Sequence, residues 1–204
     1  MSEKFEPIIK RAFLLLLAIL MLAGAGNAPE NRAEYREEMA KIELLFGELD
    51  EYKGYQTLMN QIGLDETIEV IQLIENSDYP EMVKAIIEVE SAWKVRALSN
   101  MDAIGLMQIR MIAATEVEPG INSSQLYNPT DNVRIGISIF ENHMAYFTNY
   151  TDTEHWALTA YNRGRTGTFN LKLKPPRTRY SNKVLDIRSN TGFHSIVSVN
   201  NQVT

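Results

Sequence analysis

A mostly α-helical fold is what this chain of 204 residues predicts, and three observations carry the expectation. Apolar residues recur at helical spacing in one segment after another. No stretch alternates apolar and polar residues at a period of two, apart from a hint in the last dozen. The composition, 45% hydrophobic and 23% charged, is that of an ordinary globular domain. Cysteine is absent, which excludes disulfides, thiolate zinc sites, iron–sulfur ligation and thiol catalysis. A net charge of −6 argues against a nucleic-acid partner.

The chain opens with Lys4, Lys10 and Arg11, followed by an unbroken apolar run from Ala12 to Ala25. That run is short of the roughly 20 residues of a spanning helix. With small residues at Ala23 and Ala25 it has the grammar of an export signal. Residues 1–28 are therefore expected to be a cleaved signal peptide or a retained anchor, meeting the membrane through residues 12–26. Either way the folded part is expected to work outside the cytoplasm or at a membrane.

Residues 29–78 read as a helical N-terminal region. Tyr35, Met39, Ile42, Phe46 and Leu49 form one apolar stripe of an acid-rich helix over 30–53. Gly54 and Gly63 punctuate the chain after it. Leu64, Ile68, Ile71 and Ile74 mark a second, short helix. The apolar stripe needs a surface to cover, so residues 30–78 are expected to matter for targeting or stability but not for chemistry. A secretion machine or a virion component would dock there.

Pro80 suits the first turn of a helix over about 79–94, with Met82, Ala85, Ile86, Val89 and Trp93 inward. A loop follows, then a helix over 105–118 on the spacing of Leu106, Ile109 and Ala113, ended by Pro119-Gly120. Asn128-Pro129 opens a helix to about 148. Another spans 153–162, residues 163–176 form a loop, and a last helix covers 177–187. Residues 189–204 are a tail.

Glu90-Ser91 stands at the margin of the apolar stripe, where a carboxyl's ionised form is disfavoured and its pKa rises toward that of a general acid. Gly105-Leu106-Met107-Gln108 follows, then Ala160-Tyr161-Asn162-Arg163-Gly164, then Tyr180 with Val184 four residues later. Each alone reads as ordinary packing or helix termination. Together and in this order they resemble the motifs of the lytic transglycosylase family, the goose-lysozyme-like catalytic domain that cleaves peptidoglycan. Asn128 to Gly136 resembles that family's helix before the third motif. Two positions depart from the pattern: Arg110-Met111 stands where the family often has Met-Pro, and Arg163 where a small residue is usual.

The resemblance implies a lysozyme-like helical domain over residues 79–188. It implies Glu90 as the single catalytic acid and base, acting on the β-1,4 bond between N-acetylmuramic acid and N-acetylglucosamine and leaving a 1,6-anhydro product. Gln108, Tyr161, Asn162 and Tyr180 would line the substrate wall. Ser91 would brace it, and Met107 would offer an apolar surface to a sugar face. No cofactor and no metal are implied, since His143, His155 and His194 have no ligand spacing. The expected partner is the peptidoglycan strand, and the expected location is the periplasm, free or anchored to the inner membrane, with a phage particle as the alternative. A hydrolytic goose-type lysozyme is one competing reading, separated by product mass. A catalytically silent, membrane-anchored glycan-binding protein is the other, separated by activity on purified wall.

Residues 163–188 are strongly basic, with Arg163, Arg165, Lys172, Lys174, Arg177, Arg179, Lys183 and Arg188 against Asp186. Lys172, Lys174, Arg177 and Arg179 are expected to attract the carboxylates of the substrate.

Overall fold

The computed structural model describes residues 50–172 and 174–190. The expected export segment, the apolar stripe up to Leu49, His194 and the tail from residue 191 lie outside these residues. From Lys53 onward the chain forms one compact unit. Its elements among the described residues are all helices: α1 (Asp50–Ile62), α2 (Leu64–Glu75), α3 (Pro80–Ser91), α4 (Met111–Val117), α5 (Ser123–Leu126), α6 (Pro129–Tyr146), α7 (Thr153–Phe169) and α8 (Arg179–Asn190). None is long and apolar enough to cross a membrane.

The hub is α6. Asn128 caps it by accepting from the Asp131 amide at 2.9 Å, and Pro129 occupies the first turn. Its buried residues include Val133, Ile135, Ile137, Phe140 and Met144. The helices α2, α4, α5 and α7 pack around it, while α8 packs on α3 and α7.

Three boundaries differ from the sequence expectation. The third helix stops at Ser91 rather than 94, because Ala92 and Trp93 take left-handed conformations with φ of 48° and 61°. The expected helix over 105–118 is helical only from Met111. Before it the chain folds into a tight turn with Gly105 at φ 79° and Gln108 at φ 49°, and Ile104 bridges back to Ile109. Leu106 and Met107 are fully buried because that turn folds inward, not because they lie on a helical stripe. Finally, the expected loop after residue 162 continues as helix to Phe169 through a kink at Gly164, where φ is 73°.

Residues 53–75 pack into the same unit as α3. Tyr55, Leu58, Val70 and Ile74 are buried. Gly54 continues α1 without interruption, since a Cβ there would collide with the Trp93 ring. Tyr55 meets Trp93 edge to face at 5.4 Å. Gln61 Nε2 donates to the Trp93 carbonyl at 2.8 Å, and Gln61 Oε1 accepts from the Val95 amide at 3.0 Å. These contacts give residues 53–75, part of the stretch 30–78 expected to matter for targeting or stability, a place in the folded unit. Each buried apolar side chain contributes roughly 1.5–3 kcal/mol, so the four together rival the net stability of a domain, about 5–15 kcal/mol. A chain starting at Ser77 is expected to lose its cooperative thermal transition, followed by circular dichroism. One starting at Lys53 is expected to keep it.

Candidate active site

Glu90 is the penultimate residue of α3 and is half-buried. Burial pushes its carboxyl up to about 7, with Tyr180 and then Lys183 pulling the other way. The shift places the proton near its midpoint at neutral pH, where a group serves both as acid and as base.

Tyr180 sits at the second position of α8, the helix packed on α3. Burial holds its phenol well above the usual value, with the Glu90 charge adding to the effect. Its hydroxyl acts on the Glu90 carboxyl, yet Tyr180 Oη is buried and makes no hydrogen bond of ordinary geometry among the described residues. We read the pair as close but not bonded. Such an orphan donor is rare in a folded interior.

Tyr161, on α7, is likewise held protonated by burial and by Glu90. It donates from Oη to the Met107 carbonyl at 2.8 Å. The phenol thereby ties the third motif to the second. Tyr161 also meets Phe140 edge to face at 6.3 Å, which fixes the ring from behind.

The turn carrying the second motif is held by Asn132 of α6, which is fully buried. Its Oδ1 accepts from the Met107 amide at 2.9 Å. Its Nδ2 donates to the carbonyls of Ile104 and Leu126, both at 2.9 Å. Gly105 is required beside it twice over: its φ is left-handed, and a Cβ would collide with the Asn132 amide. Gly136, one turn further along α6, leaves room for the Met107 side chain in the same way.

The structure brings Glu90, Tyr161 and Tyr180 together, with the Met107 carbonyl behind them. Gln108 is half-buried on the same turn and donates from Nε2 to the Gly105 carbonyl at 3.1 Å. Asn162 is exposed. One expectation changes. The Met107 side chain is fully buried, so it offers no surface to a sugar; what it contributes is a backbone acceptor. Ser91 is buried and donates to the Ile87 carbonyl at 3.1 Å, at the end of α3.

Sequence reasoning passed over Asn132, Gly136 and Gln61. The first two had a signal: they are four apart on the apolar stripe of Val133, Ile137 and Phe140, where a polar side chain needs a partner and a glycine needs a reason. Of the histidines, His155 Nδ1 pairs with Ser181 Oγ at 2.9 Å, and burial pushes His143 down to about 4, with Arg165 adding to it.

The basic stretch is largely used internally. Lys174 Nζ donates to the carbonyls of Thr168 and Phe169 and lies 4.8 Å over the Trp156 ring. Arg177 pairs with Asp152 at 2.6 Å, Arg188 pairs with Glu154, and Arg165 lies over Tyr146. Lys174 and Arg177 are thus structural cations, contrary to their expected role toward substrate.

A helical frame thus holds one half-buried carboxyl and two phenols in a single candidate site. A model of the transglycosylase SLT domain matches residues 70–182, and the chain belongs to that family. It is 33% identical to a membrane-bound lytic murein transglycosylase C of Photorhabdus laumondii over 94 residues, which is 41% of this chain and 26% of that protein. Its fold is that of the lytic transglycosylase Slt of Pseudomonas aeruginosa, solved as an inactive variant, at 21% identity and a TM-score of 0.51. That match covers 70% of this chain and 26% of the other. The 70 kDa soluble lytic transglycosylase of Escherichia coli aligns at 26% identity and a TM-score of 0.49, over 59% of this chain and 23% of that one. The chain therefore spans about a quarter of the length of these relatives.

Proposed function

We propose that this protein is a peptidoglycan lytic transglycosylase with Glu90 as its catalytic residue. The observation that carries the reading is a single buried carboxyl facing two phenols. Among the described residues, Glu90 is the one carboxylate whose charge acts on Tyr161 and Tyr180. Two-carboxylate glycosidases use a second carboxyl about 5–9.5 Å away, and no second carboxylate is among the groups that shift Glu90.

Protonated Glu90 gives its proton to the glycosidic oxygen as the bond to the anomeric carbon of N-acetylmuramic acid breaks. N-acetylglucosamine leaves with a free 4-hydroxyl. The acetamido oxygen of the substrate stabilises the anomeric cation. Ionised Glu90 then takes the proton of the C6 hydroxyl as O6 closes on the anomeric carbon. Glu90 ends protonated, as it began, and no water is consumed. Tyr180, whose hydroxyl acts on the Glu90 carboxyl, is the group we assign to orienting it. Gln108 and Asn162 supply uncharged amides for sugar hydroxyls and acetamides.

The substrate lies outside the cytoplasmic membrane, and the basic-then-apolar segment over residues 4–25 supports export as a cleaved signal or an anchor. A local wall-opening role, with residues 30–78 meeting a partner machine, belongs to the same reading. The test of the reaction is product mass. Digests of purified peptidoglycan are expected to yield anhydro-ended muropeptides, one water lighter than hydrolysed ends. Hydrolysed ends alone would make the protein a lysozyme instead.

A further inference from the structure

The left-handed turn that ends α3 is held from outside the helix. Ala92 and Trp93, with φ of 48° and 61°, follow Glu90 by two and three residues. Residues other than glycine seldom adopt that conformation, and two in succession persist only where their surroundings fix them. Within the turn the Ala92 amide donates to the Glu88 carbonyl at 3.1 Å and the Lys94 amide to the Ser91 carbonyl at 3.2 Å. The rest of the support comes from α1. The buried Trp93 ring fills the notch left by Gly54, with Tyr55 edge-on against it. Gln61 spans the turn, donating from Nε2 to the Trp93 carbonyl at 2.8 Å and accepting at Oε1 from the Val95 amide at 3.0 Å. Its Nε2 also donates to the Thr57 carbonyl at 2.8 Å, one turn back on α1. An exposed glutamine has water for a partner, yet this one commits two donors and an acceptor to main chain. Only an amide side chain offers both kinds of group at that reach.

The restraint continues past the turn. Two residues beyond Val95, the Ala97 carbonyl accepts from the Gly105 amide at 2.8 Å. The same loop therefore reaches the fold-back whose Met107 carbonyl accepts from Tyr161. The segment gripped by Gln61 is thus joined at one end to the helix that carries Glu90, and at the other to a phenol acting with it. The remaining groups that act on Glu90, Tyr180 and Lys183, come from α8. Gln61 itself lies before residues 70–182, the span that the family model covers.

We propose that Gln61 is a positioning residue for the reaction: by clamping the Trp93 carbonyl and the Val95 amide it fixes the end of α3, and so keeps the Glu90 carboxyl withdrawn from water and set against the two phenols. Gln61 touches no reacting atom and acts through the backbone. The activity arm of its test rests on the peptidoglycan reading; the titration arm does not.

The test uses the full chain and compares Gln61→Met and Val70→Ala with the wild type. Met keeps the length of the side chain and loses all three bonds. Val70→Ala opens a cavity in the core on α2 and leaves the turn alone. Carbon-13 NMR of labelled glutamate carboxyls follows Glu90, assigned by the signal lost in Glu90→Gln. Wild-type Glu90 is expected to titrate at about 7. In Gln61→Met the loosened helix end admits water, and the midpoint is expected to fall by about one pH unit. The alkaline limb of kcat/KM should move down with it, with kcat lowered about tenfold and KM changed less than about twofold. Val70→Ala is expected to lower the thermal midpoint while keeping both the Glu90 titration and the limb in place. An unmoved Glu90 midpoint in Gln61→Met overturns the inference. An equal fall in Val70→Ala also overturns it, since general loosening would then be the cause. A wild type that releases no muropeptides removes the peptidoglycan reading, while the titration still decides whether Gln61 holds the carboxyl.

Discussion

Glu90→Gln is expected to remove wall-lytic activity by a factor of at least about 10²–10⁴, measured as muropeptide release from purified peptidoglycan. The amide fills the same space but can neither deliver nor retrieve a proton. The same substitution is expected to stabilise the fold above neutral pH, and the sign follows from the raised carboxyl. Folded Glu90 holds its proton up to about 7, whereas an ordinary glutamate releases it near 4.5. Below about 4.5 both states are protonated and there is no penalty. Between the two values the unfolded chain releases the proton and stability falls. Above about 7 the penalty is complete, up to about 3 kcal/mol. Thermal melts at pH 8 should therefore place Glu90→Gln above the wild type, and melts at pH 4 should place them together. Wild-type kcat/KM should decline about tenfold per pH unit above about 7, as the acid form is lost. An active Glu90→Gln variant with normal circular dichroism would move the acid to another residue.

Asn132→Ala is expected to be the most damaging change outside the reacting groups. It removes the acceptor of the Met107 amide and the donor to two buried carbonyls. Leaving buried polar groups unpaired costs about 1–3 kcal/mol each, so a loss of roughly 3 kcal/mol or more is expected in denaturant titrations. Activity should fall tenfold or more even well below the melting temperature, because Tyr161 is anchored on the same Met107 residue whose amide is set free. An Asn132→Ala enzyme with wild-type kcat at low temperature would detach the turn from the chemistry.

Much of the frame was readable because burial and period coincide. Pro80 and the stripe of Met82, Ala85 and Ile86 place α3, and Asn128-Pro129 with Val133, Ile137 and Phe140 places α6. The turn at Gly105–Gln108 was not readable in this way. Leu106, Ile109 and Ala113 keep helical spacing, and only the left-handed φ of Gly105 and Gln108 turns that spacing into a fold-back held by a residue 25 positions away. Gly54 misleads in the opposite sense. It looks like punctuation, but it lies inside a helix because the Trp93 ring, 39 residues later, needs the volume of its side chain. In the site, Glu90 and the phenols were legible from motif spacing. The burial of Met107 and the inward turn of Ser91 were not, since a motif names residues without saying which of their atoms face the cleft.

The carboxyl and the phenol that faces it are separated by ninety positions, on α3 and α8. A chain is synthesised from its N-terminus, and non-local contacts close last. While the polypeptide is still emerging, Glu90 is present but the helix that carries Tyr180 and Lys183 has yet to dock. The order of manufacture thus leaves the surroundings of Glu90 incomplete until α8 arrives, a delay written into connectivity alone.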